Sequence, residues 1–132
     1  MFHRSLLFFA SICVVLASDD KKMYINSLIE KDNAFFRLFT NEQVFGELYI
    51  TFKTDENLIK NKFIGQVTRK GKNGNWKIWW NNGAKKASGY YSNSKKEGLW
   101  VEWAKDGRKF SKAYYEKGKI VHLINCFIED CK

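Results

Sequence analysis

The chain has 132 residues, a formal net charge of +9 from 23 Lys and Arg against 14 Asp and Glu, 17% aromatics, three Cys and no Pro. That length suits one domain, and a 45% hydrophobic share excludes a disordered tail, which buries too little apolar surface to offset its ordering entropy. All five Trp fall between Trp76 and Trp103, so position says more than composition.

In chain order, Met1 to Ser18 reads as a secretory signal. Arg4 lies in a short n-region, an apolar run follows from Leu6 to Leu16, and Val15-Leu16-Ala17 precede the charged Asp19, Asp20, Lys21 and Lys22. The apolar run is shorter than the roughly 20 residues that span a bilayer as a helix. A retained membrane anchor is the alternative. Cleavage near Ala17 separates residues 1–17 from a mature domain, 18–132, with two Cys. In an exported chain Cys126 and Cys131 are expected to form a disulfide that pins the tail 122–132. A metal site that adds His122 is the alternative, but its spacing matches no zinc signature. No metal and no cofactor are expected.

Lys21 to Phe39 is ambiguous, because Ile25, Leu28, Ile29, Phe36 and Phe39 also suit an amphipathic helix. Glu47 to Phe52 alternates as a strand does, and Asn57 to Arg69 carries Leu58, Ile59, Phe63, Ile64 and Val67 around Gly65.

A repeat follows. Residues 74–97 align with 98–121 without a gap, at a period of 24. Gly74 meets Gly98, Trp76 meets Trp100, Trp79 meets Trp103, and Gly83 meets Gly107. Lys85 meets Lys109, Tyr90 and Tyr91 meet Tyr114 and Tyr115, and Lys95 meets Lys119. Each unit reads as a β-hairpin: Trp76 to Trp80, a turn at Asn81-Asn82-Gly83, and a return strand from Ala84 to Tyr91. The second copy runs from Leu99 to Ala104, turns at Lys105-Asp106-Gly107, and returns from Arg108 to Tyr115. The expected fold is all-β, a single-layer antiparallel meander of stacked β-hairpins. Gly74, Trp76, Gly83, Gly98, Trp100 and Gly107 are its repeat-structural residues. Period-2 alternation points Trp76 and Trp100 to one face and Trp79 and Trp103 to the other. An aromatic ladder of this kind either packs shut or leaves one row open as a binding groove.

The strings Gly-Asn-Trp-Lys-Ile-Trp-Trp-Asn-Asn-Gly-Ala-Lys and Gly-Leu-Trp-Val-Glu-Trp-Ala-Lys-Asp-Gly-Arg-Lys, each followed by Tyr-Tyr and a basic turn, resemble variant MORN repeats. Upstream, Leu28 to Phe36 resembles the opening hairpin of exported, antitoxin-like proteins built from such repeats, with Phe39-Thr40-Asn41-Glu42 and Phe45-Gly46-Glu47-Leu48 after it. The resemblance covers about residues 27–121 and implies degenerate hairpins over 27–69 in place of the helix. It also implies a protein-binding role. Ser94 departs from the pattern, standing where Gly118 stands one repeat later, and the Cys126–Cys131 tail has no counterpart in the motif.

Catalysis is not expected. The mature chain has one His, and Glu97, Glu102, Asp106 and Glu116 fall at turns or alternating strand positions that propose no carboxylate pair. Charge is more informative. Residues 58–119 hold 16 Lys and Arg against 4 acids, whereas 18–57 hold 5 against 8. Lysine keeps sheet edges soluble, but so concentrated a charge also suits an acidic partner. Two readings stand: a non-catalytic module that binds a protein partner, and peripheral attachment to an anionic membrane or envelope surface through the lysine-rich turns. With 4 Arg against 19 Lys and an export signal, nucleic acid is disfavoured as a partner. The candidate binding residues are Trp79, Trp103, Tyr90, Tyr114, Lys85 and Lys109.

Overall fold

The computed structural model describes residues 22–53, 56, 57, 59–128 and 131; the expected signal peptide 1–17 and Leu58 lie outside them. The strands are β1 (Lys22–Tyr24), β2 (Leu28–Lys31), β3 (Ala34–Arg37), β4 (Gln43–Val44), β5 (Gly46–Lys53) and β6 (Ile59–Thr68), then β7 (Gly71–Trp79), β8 (Lys85–Ser92), β9 (Lys95–Trp103), β10 (Lys109–Glu116) and β11 (Lys119–Asn125). A single 3₁₀ turn, Ile25–Ser27, joins β1 to β2. Over the described residues 22–39 no α-helix forms. Asp32 and Asn33 both adopt positive φ, 51° and 62°, which closes β2 and β3 into a two-residue hairpin.

The meander is as expected: β5 to β11 pair with their chain neighbours, antiparallel, in one large sheet. Two features add to it. β1 joins the edge parallel to β5, and β2-β3-β4 form a separate three-stranded sheet. β11 also extends the regular structure to Asn125, into the segment read as tail. Cys126 and Cys131 form the expected disulfide, with Cα atoms 5.2 Å apart, and Phe127 packs edge-on against Phe110 at 5.3 Å.

The repeat is visible bond by bond. Trp80 N–H donates to Ala84 O and Gly83 N–H to Trp80 O; one period later Ala104 N–H donates to Arg108 O and Gly107 N–H to Ala104 O. Asn82 Oδ1 accepts from Ala84 N–H as Asp106 Oδ1 accepts from Arg108 N–H. Ser94, the departure from the pattern, takes φ 65° and its hydroxyl accepts from Lys72 N–H at 2.9 Å. Its own N–H donates to Lys72 O, as Gly118 N–H does to Lys96 O.

One face of the large sheet carries the core: Leu48, Ile64, Val67, Trp76, Ala87 and Trp100, joined by Met23, Phe35 and Val44. Each buried indole lies across a glycine of the strand before it, Trp76 over Gly65 and Trp100 over Gly89, so closely that a Cβ at either glycine would overlap the ring. Trp76 N–H donates to Gln66 O and Trp100 N–H to Tyr90 O, acceptors that are themselves 24 residues apart. Tyr91 wedges edge-on between the two indoles, with centroids 5.4 and 4.9 Å away.

The disulfide acts on the tail alone. Replacing Cys126 and Cys131 by Ser is expected to cost about 2 kcal/mol, the entropy of closing so short a loop. Hydrogen exchange should then quicken over residues 120–128 and stay unchanged in β7 to β9; faster exchange throughout would contradict a tail-pinning role.

Candidate functional site

Opposite Ile78 and Trp79 the return strand carries a bulge, with Lys86 as the extra residue between the partners Ala87 and Lys85, and the same bulge recurs opposite Glu102 and Trp103 with Phe110 as the extra residue. Trp79 does not lie apart from Trp76, although period 2 predicts opposite faces. It packs against the same buried cluster, with its N–H donating to Phe63 O at 3.0 Å and Lys62 Nζ stacked 4.4 Å from its ring centre. Trp76, Ile78, Ala87, Gly89, Tyr91, Trp100 and Tyr115 share this Trp face by register, while Tyr90 and Tyr114 stand on the opposite one, each about two-fifths exposed. The candidate binding residues are thus not gathered into one site. Lys85 lies 4.7 Å from the Trp103 ring centre, and Lys109 Nζ donates to Cys131 O in the tail. His122 sits cross-strand from Tyr114, rings 6.0 Å apart.

What the fold does assemble is a groove of about 510 Å³ over the repeats, with Ile78, Ala87, Trp80, Trp103, Ala104 and Phe110 as its apolar walls. Lys86, Lys96 and Lys105 rim it. Trp80 gathers several of these side chains: Lys86 and Lys105 lie 4.4 and 5.4 Å from its ring centre, and its N–H donates to Trp103 O at 3.0 Å. Lys96 stacks 4.4 Å from Trp100 and 4.9 Å from Tyr115. Among the described residues the ion pairs are Arg37–Glu42, Lys72–Glu30 and Arg108–Asp106, so none of the rim lysines has a carboxylate partner. The one acid in the lining, Glu102, accepts a hydrogen bond from Ser111 Oγ at 3.0 Å. Each stacked amine contributes on the order of 0.5–1 kcal/mol and keeps its remaining donors toward solvent. The groove thus combines an apolar aromatic floor with several uncompensated positive charges. Trp80, Lys86, Lys96 and Lys105 were not among the sequence candidates, although Trp80 carries a signal: its repeat equivalent is Ala104.

Asp106 is held below the usual carboxylate range by its hydrogen bond from Arg108, at an exposed turn. Burial, followed by the Glu30 carboxylate and Tyr115, raises the Tyr91 phenol above 10. Because the folded state favours the neutral phenol, the contribution of Tyr91 is fully present below the unfolded-chain value near 10 and is lost as pH rises through the folded one. Alkaline unfolding followed by circular dichroism should therefore be steeper for the native protein than for Tyr91→Phe; identical curves would contradict this.

Among the described residues no group of three His, Cys, Asp or Glu could hold a metal ion, and no helix is long and apolar enough to cross a membrane. No family model, no curated protein and no solved structure matches the chain.

Proposed function

We propose that the chain is an exported, non-catalytic repeat module, built from MORN-like hairpins, that binds a protein partner on its Trp face. The observation that carries this reading is the groove: an aromatic lining that includes Trp80 and Trp103, with lysines that have no carboxylate partner among the described residues. Such a surface joins large aromatic anchors, which interface cores favour, with surrounding charge that a partner can complement. The disulfide supports export, because such bonds persist in oxidising compartments.

Peripheral attachment to an anionic envelope surface is the competing reading, favoured by exposed turn lysines such as Lys105 and Lys117. One experiment separates them. The protein and a Trp80→Ala/Trp103→Ala variant are used to capture partners from envelope extract and are also mixed with anionic and neutral vesicles. Loss of the captured protein in the variant, with its circular dichroism unchanged, supports the module. Unchanged capture sinks it, and variant-insensitive binding to anionic vesicles that disappears at high salt favours the surface reading.

A further inference from the structure

The open groove is the repeat equivalent of a site that the protein already fills with its own N-terminal sheet. At the first position Lys72 Nζ lies over Phe35, Trp76 and Tyr91, 5.7, 5.4 and 5.5 Å from their ring centres, and 2.6 Å from Glu30 Oε1. Glu30 and Phe35 are cross-strand partners in β2 and β3, so one hairpin delivers both the carboxylate and the ring. Phe35 rests 6.4 Å from the Trp76 centroid and is fully buried.

Twenty-four residues later part of the seat recurs with no hairpin over it: Trp100 is already covered by the chain's own side chains, and the open surface lies beside it, around Ile78, Ala87 and Phe110. Lys96 stands for Lys72, Trp100 for Trp76 and Tyr115 for Tyr91, and the amine again lies over the rings. Lys72, Ile78 and Trp79 line the residual cavity of about 210 Å³ at the hairpin; their equivalents Lys96, Glu102 and Trp103 line the open groove of about 510 Å³. Among the described residues no carboxylate pairs with Lys96, whose hydrogen-bond partner is the Tyr115 hydroxyl at 3.4 Å.

We propose that this groove receives a β-hairpin of an acidic protein partner, one that presents a carboxylate cross-strand from an aromatic side chain, seated on Lys96 as Glu30 and Phe35 are seated on Lys72. The proposal rests on the interaction-module reading and names the partner's chemistry. An apolar hairpin without an acid would desolvate the Lys96 ammonium and leave it unpaired, which is costly. A small free anion would satisfy the charge and leave the floor of Ile78, Ala87 and Phe110 uncovered. The hairpin meets both demands, and the basic excess of the repeats selects an acidic carrier.

The probe is a peptide of residues 27–38, cyclised by an added terminal disulfide so that the hairpin is preorganised. Titrated into purified protein with its own disulfide intact, it should bind saturably by calorimetry and Trp fluorescence. Lys96→Met keeps the aliphatic cover over Trp100 and removes the charge; it should weaken binding about tenfold, the worth of one charge-assisted hydrogen bond, while Lys96→Arg binds within about twofold of the native protein. Glu30→Gln in the peptide should cost a similar factor against the native protein and almost nothing against Lys96→Met. No binding at millimolar peptide, or equal binding to native and Lys96→Met proteins, overturns the proposal. If a captured partner is lost in Trp80→Ala/Trp103→Ala while the peptide ignores Lys96, the module reading stands and this inference alone fails.

Discussion

Replacing Trp100 by Ala is expected to destabilise the protein by about 3–5 kcal/mol, the usual cost of truncating a fully buried large aromatic. Against a total stability on the order of 5–15 kcal/mol, that is enough to unfold a substantial fraction at physiological temperature. The reason lies in how many partners the ring holds at once. It is 1% exposed, lies across Gly89, takes Tyr91 on one side at 4.9 Å and Tyr115 on the other at 6.4 Å, and donates its N–H to Tyr90 O. Removing it opens a cavity between strands that no neighbour can fill, and leaves the Lys96 stem with nothing to cover. Trp103→Ala, at the wall of an open groove, should cost about 1 kcal/mol or less, near the ordinary range for partly exposed positions. Urea titrations of the two variants decide the matter. Equal midpoints would show that the repeat equivalents of Trp76 and of Trp79 are energetically alike and that the ladder is not the core.

The architecture was legible because the 24-residue period is local information. Asn82 and Asp106 cap their turns by the same side-chain bond, and Trp76 and Trp100 point to the same acceptor one period apart, so one aligned pair predicts the next. Alternation failed at Trp79 and at Trp103. Composition does not mark the bulges that the return strands carry at Lys86 and Phe110, beside these two rings; Trp79 packs against the core and Trp103 lines the groove with Ile78 and Ala87, where period 2 predicts the other face. The parallel β1–β5 pair was also invisible, since its partners stand 25 residues apart with no turn chemistry between them. The site was the least legible part. Identity between the copies points to Trp103, which does line the groove, and to Lys85 and Lys109, which do not, and it passes over Trp80, where the repeat is broken. Identity between copies reports what each hairpin needs in order to stack. A departure such as Trp80 for Ala104, or Lys96 without a Glu30, is where one copy can differ in what it binds.

That distinction also explains why the N-terminal sheet matters to both stability and binding. A meander of hairpins exposes two faces along its whole length, and a single-layer ladder must find cover for its rings. At the first repeat the chain supplies the cover itself through Phe35 and Glu30. At the second, the side chains of Lys96, Tyr91 and Tyr115 are cover enough to bury Trp100, while the adjoining floor around Trp80 stays open. The chain thus buries Trp100 with its own side chains and leaves the adjoining floor as the surface on which the proposed hairpin would sit.

Gly89→Ala tests the ladder from below and is expected to cost about 3 kcal/mol, the upper part of the range for overpacking. In an ordinary strand the same change would be favourable by roughly 0.5–1 kcal/mol, because glycine loses more backbone freedom on folding than alanine. Here the added methyl would overlap the rigid indole of Trp100 at its fused carbons, with no flexible end to swing aside. The ring cannot rise away without breaking its bond to Tyr90 O and pushing into Tyr91. The sign of the effect should therefore depend on the ring alone. In a Trp100→Ala background, already weakened, Gly89→Ala should be neutral or stabilising by up to about 1 kcal/mol, giving a coupling between the two sites of roughly 3–4 kcal/mol in a double-mutant cycle. Gly65→Ala should behave likewise with Trp76, its equivalent one period earlier. Additive effects at positions 89 and 100 would mean that the glycine serves the backbone and not the ring, and the seat assigned to the indole would have to be abandoned.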